Sequence, residues 1–220
     1  SLWTRAPGLA APPELMVHHL DDSGNDGERI LVAAEGAAAV VVGPGLGIDG
    51  PGRTLSKLLV EKLPAPAVID ADALSALADD PGPAQRAVTP RVWTPHPGEA
   101  ARLLRTTAAE VEANRYQGAR ELVDRYGHVA VLKGAFTIVA DATRQWVSGG
   151  AAPALAVGGA GDVLAGVIGA QLAFLSPMEA SAAGAFVHWK AGTDMAFDRG
   201  NLAREIADAI GSVLMDAAAP

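Results

Sequence analysis

At 220 residues, half of them hydrophobic, the chain can bury the core of one substantial α/β domain, and disorder as its default state is excluded. Its 17 Lys and Arg against 25 Asp and Glu leave a formal net charge of −8, which argues against a nucleic-acid binder but not against an anion held by backbone dipoles. There is no cysteine, so disulfide frameworks, thiolate chemistry and zinc–sulfur sites are excluded.

Residues 1–25 are rich in Pro and Asp and show little periodicity. The pieces that follow alternate. Residues 38–42 form a short β-rich run ending at Gly43-Pro44-Gly45-Leu46-Gly47, and residues 55–63 place Leu55, Leu58, Leu59 and Leu63 on one helical face. A second strand, 67–69, ends at Asp70-Ala71-Asp72, and a third, Val92-Trp93, ends at Thr94-Pro95-His96-Pro97-Gly98-Glu99. A helix is predicted from about 108 to 126, closed by Gly127. Strands follow at 128–132, 137–139 and 145–147, with 141–144 a hairpin turn. Three helices complete the chain: 162–175, 177–197 and 204–215. Strands alternating with helices imply a mainly parallel sheet covered on both faces, with ligands bound beyond the carboxyl ends of its strands. The unusual segments all lie at such ends. No apolar run reaches membrane-spanning length, no secretory signal opens the chain, and a cytoplasmic setting is expected.

The most informative segment is Gly158-Gly159-Ala160-Gly161-Asp162-Val163-Leu164-Ala165-Gly166. Glycines at a helix start let backbone N–H groups approach a phosphate, and the helix dipole adds attraction. Asp162 in the first turn either takes a proton from an attacking hydroxyl or merely caps the helix. In Thr94–Glu99, two prolines fix the backbone around His96. That histidine is a donor to a ligand or a surface loop residue, and Glu99 is a holder of a magnesium-bound water or a helix N-terminal charge. Lys133-Gly134-Ala135-Phe136-Thr137 joins two strands and suits a nucleotide phosphate, unless Lys133 is simply solvated. Asp70 and Asp72 are near enough to share a cation, although alternate strand residues point to opposite faces. His188, in a small-residue helix, reads as a packing histidine. His18, His19 and His128 carry no signal.

Taken in order, these segments resemble the ADP-dependent NAD(P)H-hydrate dehydratases, bacterial members of the ribokinase-like superfamily. The resemblance rests on Val42–Gly47, Ile69-Asp70-Ala71-Asp72-Ala73-Leu74, Thr94–Glu99, Val131-Leu132-Lys133-Gly134 with Thr137, and Gly158–Gly166, and runs from about Pro13 to the C-terminal helices. It implies a three-layer α/β/α fold as a single domain over 1–220, with a mostly parallel central sheet. It also implies a strand, a glycine-rich turn and a helix ahead of anything found in residues 1–25, so the first strand–helix unit is expected to be missing from this chain.

The implied reaction is phosphorylation of the hydroxyl of NADH or NADPH hydrate by ADP, with Mg2+, followed by elimination of phosphate. By the resemblance Asp162 is the base, and Gly159 to Gly161 supply the anion hole. Lys133, Gly134, Ala135, Phe136, Thr137, Gly159 and Gly161 bind nucleotide; Gly45, Gly47, His96 and Asp162 bind the hydrate; Glu99 serves the metal. The Asn-x-x-Glu of related sugar kinases is here His96-Pro97-Gly98-Glu99, which favours dehydratase over kinase. A homo-oligomer, up to a tetramer, and a fused or partner epimerase are further implications. Two rivals are a ribokinase-like kinase of a vitamin-precursor alcohol and a non-catalytic nucleotide-binding fragment.

Overall fold

The protein is described here by a computed structural model, covering residues 1–217 except 7, 9, 10, 22 and 23. Strands β1 (Leu2–Thr4) and β2 (Val17–His19) pair in parallel as a separate two-stranded sheet. The remaining strands, β3 (Val40–Val42), β4 (Ala67–Ile69), β5 (Arg91–Trp93), β6 (Val129–Leu132), β7 (Ile138–Ala140) and β8 (Gln145–Val147), form one six-stranded sheet in sequence order. Pairing is parallel from β3 to β6 and antiparallel from β6 to β8. The helices are α1 (Asp26–Ala34), α2 (Gly50–Lys62), α3 (Ala71–Leu77), α4 (Gly82–Gln85), α5 (Pro97–Leu104), α6 (Ala108–Ala113), α7 (Arg115–Tyr126), α8 (Ala160–Gln171), α9 (Pro177–Asp194) and α10 (Ala203–Ala217).

The central strands β4 to β7, short as they are, hold together because both of their faces are buried under two helical layers. Successive residues alternate between two cores. Ala67, Ile69, Trp93, Ala130, Leu132, Ile138 and Ala140 pack with α2, α3, α5 and α7. Val68, Val92, Val129, Val131 and Val139 pack on the other side with Leu164, Ala165 and Ile168 of α8. A third cluster joins Ile206 and Val213 of α10 to Val187 and Ala191 of α9. This is the mostly parallel α/β arrangement expected from the alternating pattern.

One core position breaks the apolar rule. Arg91 has no exposed surface, and its guanidinium donates to the carbonyls of Val60, Leu63, Ala65, Thr89 and Pro90. Three of these carbonyls lie at or beyond the C-terminal end of α2, where a helix favours positive charge. Burial pulls the Arg91 pKa down to about 10, so the group remains charged at neutral pH.

Several elements depart from the sequence expectations. The predicted helix 108–126 is interrupted at Asn114, with φ −133° and ψ 51° there. Helices α1 and α3 were not predicted. In α1 the periodicity is carried by only Ile30 and Ala34, and α3 starts immediately after Asp70, where the sequence reads as a strand end. The three terminal helices occur as expected, with α8 beginning two residues earlier and ending at Gln171.

Candidate active site

Beyond the parallel strands, the sheet ladder continues into the loops. Asp70 N–H donates to Val42 O at 3.0 Å, Thr94 N–H to Ile69 O at 3.1 Å, and Lys133 N–H to Pro95 O at 2.9 Å. These bonds bring the four unusual segments of the sequence to one edge of the sheet. Gly43 belongs there for a steric reason. Its φ is +133°, and an added Cβ would lie 1.8 Å from the Asp70 carbonyl oxygen.

Two acidic residues of the second segment part company. Asp70, 1% exposed, precedes α3, and its Oδ1 accepts from Lys133 Nζ at 2.7 Å. Asp72, in the first turn of α3, accepts from the Gly47 N–H at 2.8 Å through Oδ2. They therefore do not face a common cation, because the chain turns at Ala71 (φ +50°) instead of continuing as a strand.

His96 caps α5 and forms a reciprocal pair with Glu99. Its Nδ1 accepts from the N–H groups of Gly98 and Glu99 at 3.0 and 3.4 Å, while Glu99 Oε2 accepts from the His96 N–H at 2.8 Å. With Nδ1 accepting, the neutral ring carries its proton on Nε2, which lies 3.6 Å from Glu99 Oε2. Glu99 is thus held by the helix start, and its carboxylate lies 3.8 Å from Lys133 Nζ.

Helix α8 is preceded by Gly159, a left-handed residue with φ 87° and ψ −10° that swings the chain into the helix and brings its first-turn N–H groups to the same edge. A methyl group on Gly161 would lie 3.3 Å from Lys133 Nζ and 3.8 Å from Asp70 Oδ2. The Lys133–Asp70 pair is therefore seated directly against the first turn of α8. Asp162, one residue on, is half-buried. Its carboxyl is held above the usual Asp range by burial and then by the negative charge of Asp70, with Lys133 opposing.

A cavity of about 480 Å3 opens beside this turn, within the range of small-molecule sites. His96, Lys133, Gly134, Ala135, Thr137 and Gly161 line it, so six of the sequence-derived site residues share one chamber. Phe136, Gly159, Gly45, Gly47, Glu99 and Asp162 are not part of its wall. Phe136 is 55% exposed and contributes its carbonyl to Arg115, whose Nη2 also donates to the carbonyls of Leu132 and Lys133. Arg115 thus straps the 133–136 loop into shape, a role no local sequence signal announces.

Sequence reasoning also missed the far wall, made by Ser148, residues 150–153 and 155–157, and α9. His188 is buried as a packing histidine would be, yet it faces the cavity.

No group of three or more His, Asp or Glu side chains able to hold a metal by themselves occurs among the described residues. Lys133 stands between the carboxylates of Asp70 and Glu99. A magnesium ion here would take most of its ligands from phosphate and water, its usual habit at nucleotide sites, and the residues present are compatible with that. No described helix is long and apolar enough to cross a membrane.

Comparison with known proteins gives a consistent result. A family model described as NAD(P)H-hydrate dehydratase matches residues 5–212. The bifunctional NAD(P)H-hydrate repair enzyme Nnr of Escherichia coli K12 is 46% identical over 209 residues, covering 91% of this chain and 38% of that protein. The ADP-dependent (S)-NAD(P)H-hydrate dehydratase of Neisseria meningitidis is 40% identical over 188 residues, covering 82% of this chain and 60% of that one. This chain therefore spans less than two thirds of either relative. Among solved structures, the ADP/ATP-dependent NAD(P)H-hydrate dehydratase of Bacillus subtilis, co-crystallised with ATP/Mg2+, superimposes with a TM-score of 0.74. It is 26% identical, and the match covers 93% of this chain and 72% of that one.

Proposed function

This chain belongs to the NAD(P)H-hydrate dehydratase family, and from that premise we propose that it restores NADH and NADPH from their hydrates by ADP-dependent dehydration. The observation that carries the reading is the meeting at one helix start of Asp162, the Lys133–Asp70 pair and the left-handed Gly159. Anion hole, phosphate-binding cation and carboxylate base then stand around one point.

In this reading the diphosphate lies against the first-turn N–H groups of α8, with Lys133 neutralising its charge and Thr137 bonding a phosphate or ribose oxygen. Asp162 takes the proton of the hydrate hydroxyl as that oxygen attacks the terminal phosphorus of ADP. The bond to AMP breaks, and the hydrate is left as a phosphate ester. Loss of inorganic phosphate, with a proton from the neighbouring ring carbon, restores the reduced nicotinamide. His96, donating through Nε2, and the 45–47 turn hold the hydrate. Magnesium, when bound, would supply further neutralisation of the phosphate oxygens, and Glu99 would be the residue to hold one of its waters.

The bifunctional name of the Escherichia coli relative supports a second proposal, that an epimerase, fused or separate, works on the same hydrate. A homo-oligomer and a cytoplasmic setting complete the reading.

The test is product stoichiometry. NADH hydrate, ADP and Mg2+ incubated with the protein are expected to give NADH, AMP and inorganic phosphate in equal amounts. A phosphorylated alcohol that accumulates without phosphate release would instead place the chain with the vitamin-precursor kinases of the same fold.

A further inference from the structure

The loop 133–137 supplies four residues of the cavity wall, Lys133, Gly134, Ala135 and Thr137, and both of its ends are tied into the fold. Lys133 N–H donates to Pro95 O at 2.9 Å, and Lys133 Nζ donates to Asp70 at 2.7 Å. At the other end Thr137 N–H donates to Ser148 Oγ at 3.0 Å, and Ser148 N–H donates to Thr137 O at 3.0 Å. Between these ends, Thr137 Oγ1 braces Gly134 from inside the loop. The hold from outside comes from Arg115.

Nη2 of Arg115 donates to the carbonyls of Leu132, Lys133 and Phe136 at 3.1, 3.3 and 3.1 Å. Its Nη1 donates to both carboxylate oxygens of Glu112 at 3.1 Å, which anchors the guanidinium on α6. The group lies so close to Gly134 that an added Cβ there would stand 2.6 Å from Nη2. Arg115 itself is not part of the cavity wall. Its location is a poor one for the helix that carries it. Arg115 is the first residue of α7, where the helix dipole disfavours a cation, and the first turn of α7 holds no acidic residue. The break at Asn114 puts it there. What the cation gains in return is the loop: three carbonyl oxygens drawn to one point repel one another, and a charged donor holds them together.

We propose that Arg115 is a positioning residue for the phosphoryl donor, setting nucleotide affinity through the 134–136 backbone without touching the ligand. This rests on the nucleotide-dependent reading above. Lys133 keeps its own ties to Pro95 and Asp70, so loss of Arg115 loosens the grip on the nucleotide and leaves the cation in place. The consequence is a split in the kinetics: the KM for ADP rises while kcat at saturation holds.

The experiment compares the 220-residue chain with Arg115→Ala and Arg115→Lys in three measurements: calorimetric binding of ADP with Mg2+, kcat with KM for each substrate, and amide hydrogen exchange without nucleotide. Arg115→Ala is expected to weaken ADP by about tenfold, the net worth of one or two hydrogen bonds. Its kcat should stay within about threefold, its KM for NADH hydrate within about twofold, and exchange should quicken in 133–137 but not in β4 or β5. Arg115→Lys keeps the charge and can still donate to the carbonyls, so ADP should bind within about threefold of the parent. The proposal is overturned if Arg115→Ala binds ADP as the parent does, if the KM for NADH hydrate rises by the same factor as that for ADP, or if Lys restores nothing. Should Arg115→Ala fail to fold, Glu112→Ala, which removes the anchor of the guanidinium, decides by the same split at about two- to threefold, and an unchanged ADP affinity there overturns the proposal. A parent whose ADP binding follows this pattern but which leaves NADH hydrate unchanged would sink the dehydratase reading and uphold this one. A parent that binds no ADP overturns both.

Discussion

Asp162 has to be ionised to act as a base, and its surroundings make ionisation harder. Burial raises its pKa first, and the buried carboxylate of Asp70 raises it further, while Lys133 pulls the other way. In the proposed reaction kcat/KM therefore falls as pH drops through this raised value, above the ordinary Asp range near 4. Asp70→Asn removes one raising influence and frees Lys133 from its partner at 2.7 Å. Both changes favour the charged form of Asp162. The acidic limb of the pH profile is expected to move to lower pH, and a limb that stays or moves upward would contradict the electrostatic account. A gain in the KM for ADP should accompany it, because Lys133 loses the group that positions it.

At the scale of elements, the site depends on how closely α8 and α9 cross. Gly184 of α9 sits against Ile168 of α8 so closely that a Cβ would lie 2.6 Å from Ile168 Cγ1 and 3.2 Å from its Cα. Gly184→Val has to push the helices apart, because one of the opposing atoms is backbone. A loss of about 1–3 kcal/mol is expected, read as a lower urea midpoint with an unchanged slope. The pairing of these helices was not visible in the sequence. In the sequence the small residues of 180–192 read as permitting close packing between subunits, whereas the structure sets Gly184 against α8.

The strands and their loops were more legible, because Val, Ile and Ala runs that end in Gly, Asp or Pro announce a buried parallel strand and its turn together. Strands β1 and β2 escaped notice for a physical reason. Each is three residues long, Val17-His18-His19 has no apolar alternation, and what holds the pair is tertiary: Trp3 stacks on His18 at 4.4 Å, with Arg29 of α1 5.2 Å from the Trp3 ring. Helix α3 was hidden because its start is set by a positive φ at Ala71, a conformation that alanine does not advertise.

For the whole molecule, the sheet edge that the fold builds is a site only once a ligand fills it. Among the sequence-derived residues, those carrying backbone or charge signals (Lys133, Gly161, His96) were readable and converge on the cavity. Those contributed by distant segments, Arg115 and the α9 wall, needed the fold. Filling the cavity should also stabilise it: ADP with Mg2+ at 100 times its dissociation constant is expected to add about 2.7 kcal/mol, raising Tm by roughly 5–10 °C in a chain of this size. Lys133→Ala should abolish most of that shift, and an unchanged shift would place the phosphates elsewhere.

The most direct test of the central claim is recovery of reduced-nicotinamide absorbance from NADH hydrate, ADP and Mg2+, with the parent and Asp162→Asn compared at saturating ADP. The account predicts recovery by the parent and a rate lower by about a thousandfold in the variant, with ADP binding preserved. Recovery at the parent's rate by Asp162→Asn, or none by a parent that still binds ADP, would contradict it.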